Sequence, residues 1–216
     1  MRYSEMIAFE KRRRARHGLP PQDGAGQSIG QILRVAFVCL GLIGLALLLA
    51  GCSSAQYRDP SAAMTTTGPV DLERYRGRWY EIARFPNRFE EGCEGVTAEY
   101  TQNPDGTVKV VNTCRQGATD GPVETAEGVA TSASPDNDKL LVTFVPWLPF
   151  ARGDYWILDL DDEYTVVVVG APSGSTGWIL ARTPAINEDQ KQRALSVLQA
   201  NGYDTGLLYF TQQPPG

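Results

Sequence analysis

Beyond residue 76 the chain is written in short runs whose apolar residues recur at every second position, the period of a half-buried strand. The run from Gly77 to Phe85 opens the series. Strict alternation puts Trp79, Glu81, Ala83 and Phe85 on one face and Tyr80, Ile82 and Arg84 on the other. In Val96–Thr101, Val96, Ala98 and Tyr100 alternate with Thr97, Glu99 and Thr101. Asn103-Pro104-Asp105-Gly106 is a turn signal, and Val108–Thr113 pairs back across it as a hairpin. Further strands are expected at Val123–Thr131, Lys139–Val145, Asp154–Leu160, Tyr164–Gly170 and Thr176–Thr183, with turns at 135–138 and 161–163. Val166–Val169 is apolar at every position, which predicts a strand covered on both faces. Eight short strands without a long crossover predict an all-β, antiparallel, up-and-down sheet. At about eight strands such a sheet closes into a barrel with room for one small ligand.

Two stretches change period. Val70–Tyr75 fits one helical turn capped by Asp71. Near the end, Pro184 stops the last strand of the series and Asn187-Glu188-Asp189 caps a helix to about Ala200. Its Ala194, Leu195, Val197 and Leu198 form one apolar face, to be packed on the outside of the barrel, and Asn201-Gly202 ends it. Leu207–Thr211 makes a short final strand.

Ahead of residue 70 the pattern is of another kind. Val35–Leu49 is an unbroken apolar run behind the basic stretch 11–16. It is shorter than the ~20 residues needed to span a bilayer, so 1–51 reads as a signal peptide with a long basic N-terminal region. Leu49-Ala50-Gly51-Cys52 closes it and is similar to a bacterial lipoprotein processing site, with a diacylglyceryl group on Cys52; the alternative is an uncleaved anchor. Residues 52–69, small and polar without periodicity, are expected to form a flexible tether, leaving 70–216 as the barrel domain.

Charge and composition narrow the chemistry. Residues 1–51 carry seven basic and three acidic residues, leaving 13 and 22 thereafter, a net charge near −9. Such a body suits neither nucleic acid nor anionic headgroups, so membrane attachment is expected through Cys52 alone. The one histidine, His17, lies in the leader. A histidine-dependent triad and a histidine-ligated metal are thereby excluded from the remainder, and no cofactor is expected. Cys39 leaves with the leader, so Cys93 and Cys114 remain as a pair flanking the first hairpin, within reach if the chain bends at Gly92 or Gly95. A disulfide is expected. The alternative is a reactive dithiol, but the spacing is not that of a redox motif.

Gly77-x-Trp79, continued as Tyr80-Glu81-Ile82-Ala83-Arg84-Phe85, is one of three motifs that occur in order. The second runs from Tyr155 to Tyr164, and the third is Trp178-Ile179-Leu180-Ala181-Arg182-Thr183-Pro184. With the closing Gln212-Gln213-Pro214 they resemble the lipocalins, and in particular their bacterial outer-membrane lipoprotein branch. The resemblance covers nearly all of residues 72–215. It implies a barrel floor built from Gly77, Trp79 and Arg182, with the guanidinium over the indole as a cation–π contact. It also implies a fatty-acid or lysophospholipid ligand, storage or transport in the cell envelope, and, through Ser53 after the cysteine, the outer membrane. Candidate ligand contacts are Glu81, Tyr100, Phe144, Trp147, Tyr155 and Trp156. The aromatic loop 145–150 either rims the mouth, meeting a lipid chain, a membrane or a second copy in a homodimer, or folds inward over its own core. Two rivals stand beside a binding protein. One is a lipocalin-fold enzyme using Glu81 on a small hydrophobic substrate, although Glu81 reads first as a hydrogen-bonded residue near the floor. The other is a structural lipoprotein with a filled barrel.

Overall fold

The computed structural model describes residues 56–148 and 150–214. The signal peptide and the lipidated Cys52 expected from the sequence lie outside the described residues.

A single helical turn, α1 (Leu72–Tyr75), enters the domain. The Asp71 carboxylate caps it by accepting from the amides of Glu73 and Arg74. The eight strands that follow are β1 (Gly77–Arg84), β2 (Cys93–Gln102), β3 (Val108–Gln116), β4 (Val123–Ser132), β5 (Lys139–Thr143), β6 (Gly153–Leu160), β7 (Val166–Gly170) and β8 (Gly177–Ala181). Each pairs antiparallel with its successor, and β8 returns to β1 over Tyr80–Arg84, so the ring closes and leaves no unpaired edge among them. This is the up-and-down barrel expected from the alternation. The helix α2 (Glu188–Ala200) begins in a reciprocal capping box between Asn187 and Gln190, and buries Ala194 and Leu198. A 3₁₀ turn at Thr205–Leu207 leads to β9 (Tyr209–Phe210), which adds to β1 outside the ring.

The strand faces sort into two cores. Trp79, Tyr100, Val110, Ile157, Val167 and Leu180 pack in the lumen. Ile82, Phe85, Leu158, Val166, Val168 and Ile179 pack outside it against Ala194 and Leu198 of α2. The apolar run of β7 needs both faces apolar because each has cover: Val167 and Val169 point in, Val166 and Val168 point at the helix. Both cores lie wholly within the compact unit Ser54–Gly216, which therefore holds together as its own body.

Cys93 and Cys114 form a disulfide with Cα atoms 5.3 Å apart. β2 slips against β3 between Glu94 and Thr97, and the bend runs through Gly95 at φ +56°, a conformation that costs glycine little.

Two expectations need correction. Strict alternation set Arg84 opposite Glu81. Instead β1 slips by one residue against β8 between Glu81 and Ala83. Ile82 and Ala83 both join the outer core, and Arg84 turns inward to meet Glu81. A bulge inserts one residue and so inverts the facing of everything after it. The other correction concerns the tether, whose 57–69 part is bound to the barrel. Tyr57 stacks on Phe85 with centroids 5.1 Å apart. Arg58 is buried and donates to the carbonyls of Asn201, at 2.8 Å, and of Pro172 and Ala62. The Thr67 amide donates to the Ile157 carbonyl at 3.0 Å. The segment lacks periodicity because it follows the irregular surface around the end of α2 rather than forming an element of its own.

Candidate functional site

The lumen is filled at one end and hollow at the other. At the filled end Trp79 is fully buried, and the Arg182 guanidinium lies 3.9 Å from its ring centroid. Arg182 also donates to four backbone carbonyls: Arg74 at 2.8 Å, Arg78 at 2.9 Å, Tyr75 at 3.1 Å and Tyr164 at 3.2 Å. One side chain thus ties α1, β1 and the β6–β7 turn beneath the barrel. Gly77, at φ +91°, sits where a Cβ would come within 3.4 Å of that guanidinium. These are the Gly77, Trp79 and Arg182 positions expected to build a floor, and the structure brings them together.

Above the floor three phenols meet. The Tyr155 hydroxyl lies 2.7 Å from that of Tyr75 and 3.1 Å from that of Tyr100. Burial pushes all three up, Tyr100 to about 12, so they stay neutral and hydrogen-bond one another. Beyond this cluster opens a cavity of about 90 Å³. Its walls are apolar and aromatic, with Val96, Ala98, Val110, Val142, Leu180, Tyr100, Phe144, Tyr155 and Trp178. Its polar groups are Glu81, Glu90 and Asn112.

Of the candidate ligand contacts, Glu81, Tyr100, Phe144 and Tyr155 line this cavity, and Trp147 and Trp156 do not. On β6, alternation turns Tyr155 inward and its neighbour Trp156 outward, where Lys139 Nζ sits 4.6 Å from the Trp156 ring centroid. Trp147 and Phe150 are 79% and 81% exposed, so the 145–150 loop does not fold its aromatics inward. Phe89, in the β1–β2 loop, is 77% exposed and lies at the same end of the barrel, the end opposite the Trp79 floor. Two of the loops at the mouth therefore carry exposed aromatics.

The polar wall is built around Arg84. Nη1 donates to Glu81 Oε1 at 2.6 Å and to Thr211 Oγ1 at 3.1 Å; Nη2 donates to the carbonyls of Glu90 and Cys93 at 2.9 and 3.0 Å. The pair is almost fully enclosed. Burial, then the neighbouring Glu90, push the Glu81 carboxyl up to about 8 against the pull of Arg84. Glu90 in turn accepts from Trp178 Nε1 at 3.0 Å and from Asn87 Nδ2 at 2.5 Å. The C-terminal segment seals the seam where β1 and β2 part. Gly95 donates to the Gln212 carbonyl, and Gln213 Nε2 bridges the carbonyls of Glu81 and Val96 at 2.8 and 3.0 Å.

Sequence reasoning missed Arg84, Glu90, Asn112 and Trp178. Trp178 was legible in principle, two residues from the inward Leu180 on the same strand; Glu90 sits in a loop and carried no signal. Among the described residues no group of three or more His, Cys, Asp or Glu side chains converges to hold a metal ion.

A lipocalin-like domain model matches residues 70–213. The chain belongs to the lipocalin family. This lipocalin is 38% identical over 170 residues to the outer membrane lipoprotein Blc of Escherichia coli strain K12, covering 78% of this chain and 92% of that protein. It is 40% identical over 151 residues to temperature-induced lipocalin-1 of Arabidopsis thaliana, covering 67% of this chain and 80% of that one. Among solved structures, insecticyanin from the tobacco hornworm Manduca sexta superposes with a TM-score of 0.55 at 19% identity, over 74% of this chain and 87% of that one. The cockroach allergen Per a 4 does so with a TM-score of 0.54 at 20% identity, over 72% and 97%. Those two likenesses bear on the fold alone. In this lipocalin the hollow half of the barrel is the place where a hydrophobic molecule can be taken out of water, and the floor and tyrosine cluster set its depth.

Proposed function

We propose that this lipocalin is a lipid-anchored protein of the bacterial outer membrane that binds single-chain lipids, fatty acids or lysophospholipids, for storage or transport in the envelope. The observation that carries the reading is the apolar cavity above the tyrosine cluster, opening toward a rim of exposed aromatics. Each CH₂ moved from water into such a site contributes about 0.8 kcal/mol. A dry cavity of about 150 Å³ takes benzene, so about 90 Å³ takes only one end of such a lipid. The remainder lies past Phe144, among Trp147, Phe150 and Phe89 at the mouth, where a bilayer or a second copy of the protein shields it. The anchor at Cys52 keeps the barrel close to its source of ligand. Relatives named outer membrane lipoproteins support the envelope assignment.

The test is native mass spectrometry of the Ser54–Gly216 unit expressed in a bacterium and purified without detergent. Co-purifying single-chain lipids are expected. An empty protein that also fails to bind an environment-sensitive acyl probe refutes the binding reading. Separately, Cys52→Ala in the full chain should abolish incorporation of labelled palmitate and release the protein from the membrane fraction.

A further inference from the structure

The cavity offers a ligand carboxylate no cationic partner. Among the described residues no Lys, Arg or His lines it. Arg84, the nearest buried cation, directs both terminal nitrogens at Glu81, Thr211 and two backbone carbonyls. The indole N–H of Trp178 is taken by Glu90.

The acceptors, by contrast, are in excess. Glu81 is 1% exposed, and both of its side-chain hydrogen bonds fall on Oε1. Its Oε2 has no hydrogen-bond partner among the described residues, although the side chain lines the cavity. Asn112 Oδ1, also on the cavity wall, is buried without a partner. Two carboxylates against one arginine leave the polar wall with an excess negative charge when both are ionised. The aromatic faces of Phe144, Tyr155 and Trp178 complete the lining, and such faces attract organic cations.

Building on the single-chain lipid reading above, we infer that the lumen selects amphiphiles whose polar end is an ammonium group, seated against Glu81 and Glu90, over those ending in a carboxylate. The ammonium supplies the charge that this wall lacks, and the attached chain leaves past Val142 and Phe144 toward the mouth. A free fatty acid meets two carboxyl groups, with only the neutral donors of Asn112 and the tyrosine cluster to set against them. Burial and Glu90 raise the affinity of Glu81 for its proton, so a bound cation competes with that proton and binds more tightly as pH rises through about 8.

The test uses three probes of equal chain length, decylammonium, decanol and decanoate, titrated calorimetrically into the Ser54–Gly216 unit below their micelle concentrations at pH 9, where Glu81 is ionised. The expected order is ammonium tightest, decanol intermediate and decanoate weakest, with at least tenfold between the two ions. Glu90→Gln is expected to lower the ratio of ammonium to decanol affinity by about tenfold. Glu163→Gln, an exposed carboxylate in the β6–β7 turn at the floor end, should leave all three unchanged, separating the site from general attraction to an acidic protein. Decanoate binding as tightly as the ammonium, or an unchanged ratio in Glu90→Gln, overturns the inference while decanol binding keeps the carrier reading. Failure of all three probes to bind overturns both.

Discussion

Replacing Arg84 by methionine tests the polar wall directly. The guanidinium makes four hydrogen bonds, and its partner Glu81 is as enclosed as it is. Methionine keeps most of the stem's volume and donates nothing. Removing one partner of a buried ion pair costs about 3–5 kcal/mol, because the other charge is left uncompensated. Glu81 can escape part of that cost by holding a proton, and its carboxyl is already raised to about 8. The penalty should therefore sit near 3 kcal/mol at pH 6, where the acid is neutral, and near 5 kcal/mol at pH 9, where ionisation is forced. At roughly 2–4 °C per kcal/mol for a domain of this size, the melting point should fall by about 10 °C at pH 6 and further at pH 9. Thermal and urea unfolding of wild type, Arg84→Met, Glu81→Gln and the double variant, followed by circular dichroism with the disulfide intact, give the coupling between the two side chains. A loss under about 1 kcal/mol at both pH values, or effects that simply add, would mean that Arg84 is not the counter-charge that the wall depends on.

Three further outcomes follow from the same geometry. The folded-state affinity of Glu81 for a proton lies above its ordinary value of 4.5, so its contribution to stability is fully present below about pH 4.5 and is lost as pH rises to about 8. Glu81→Gln should flatten the stability profile across that window, and an unchanged slope would contradict the assignment. Replacing Cys93 and Cys114 together by serine opens a loop of sequence separation 21 and should cost about 3 kcal/mol in urea unfolding; equal stability would place the constraint elsewhere. Tyr155→Phe removes the hydroxyl between Tyr75 and Tyr100 and should cost about 1–2 kcal/mol, whereas Trp156→Phe, on the outer face, should leave ligand binding intact.

The sequence by itself determined the strands, their order and the helix behind them. Alternation of side-chain polarity is a local property, and turns such as Asn103–Gly106 cannot be built from many other residues. It also located the floor, Gly77 and Trp79 by their own chemistry and Arg182 through the resemblance to the lipocalins, and the Cys93–Cys114 pair, since few cysteines remained to choose from. Tertiary structure alone decided what faces the lumen. One extra residue in β1 turned Arg84 inward, and nothing in its neighbours announces that slip, because a bulge is set by how β1 meets β8, nearly a hundred residues away. The same holds for residues 57–69 and for Gln213. Each is polar and aperiodic, and its place is fixed by backbone groups left open on distant elements, the end of α2 in one case and the parting of β1 from β2 in the other. Periodicity records which residues leave water, whereas closure of the ring decides which of them meet.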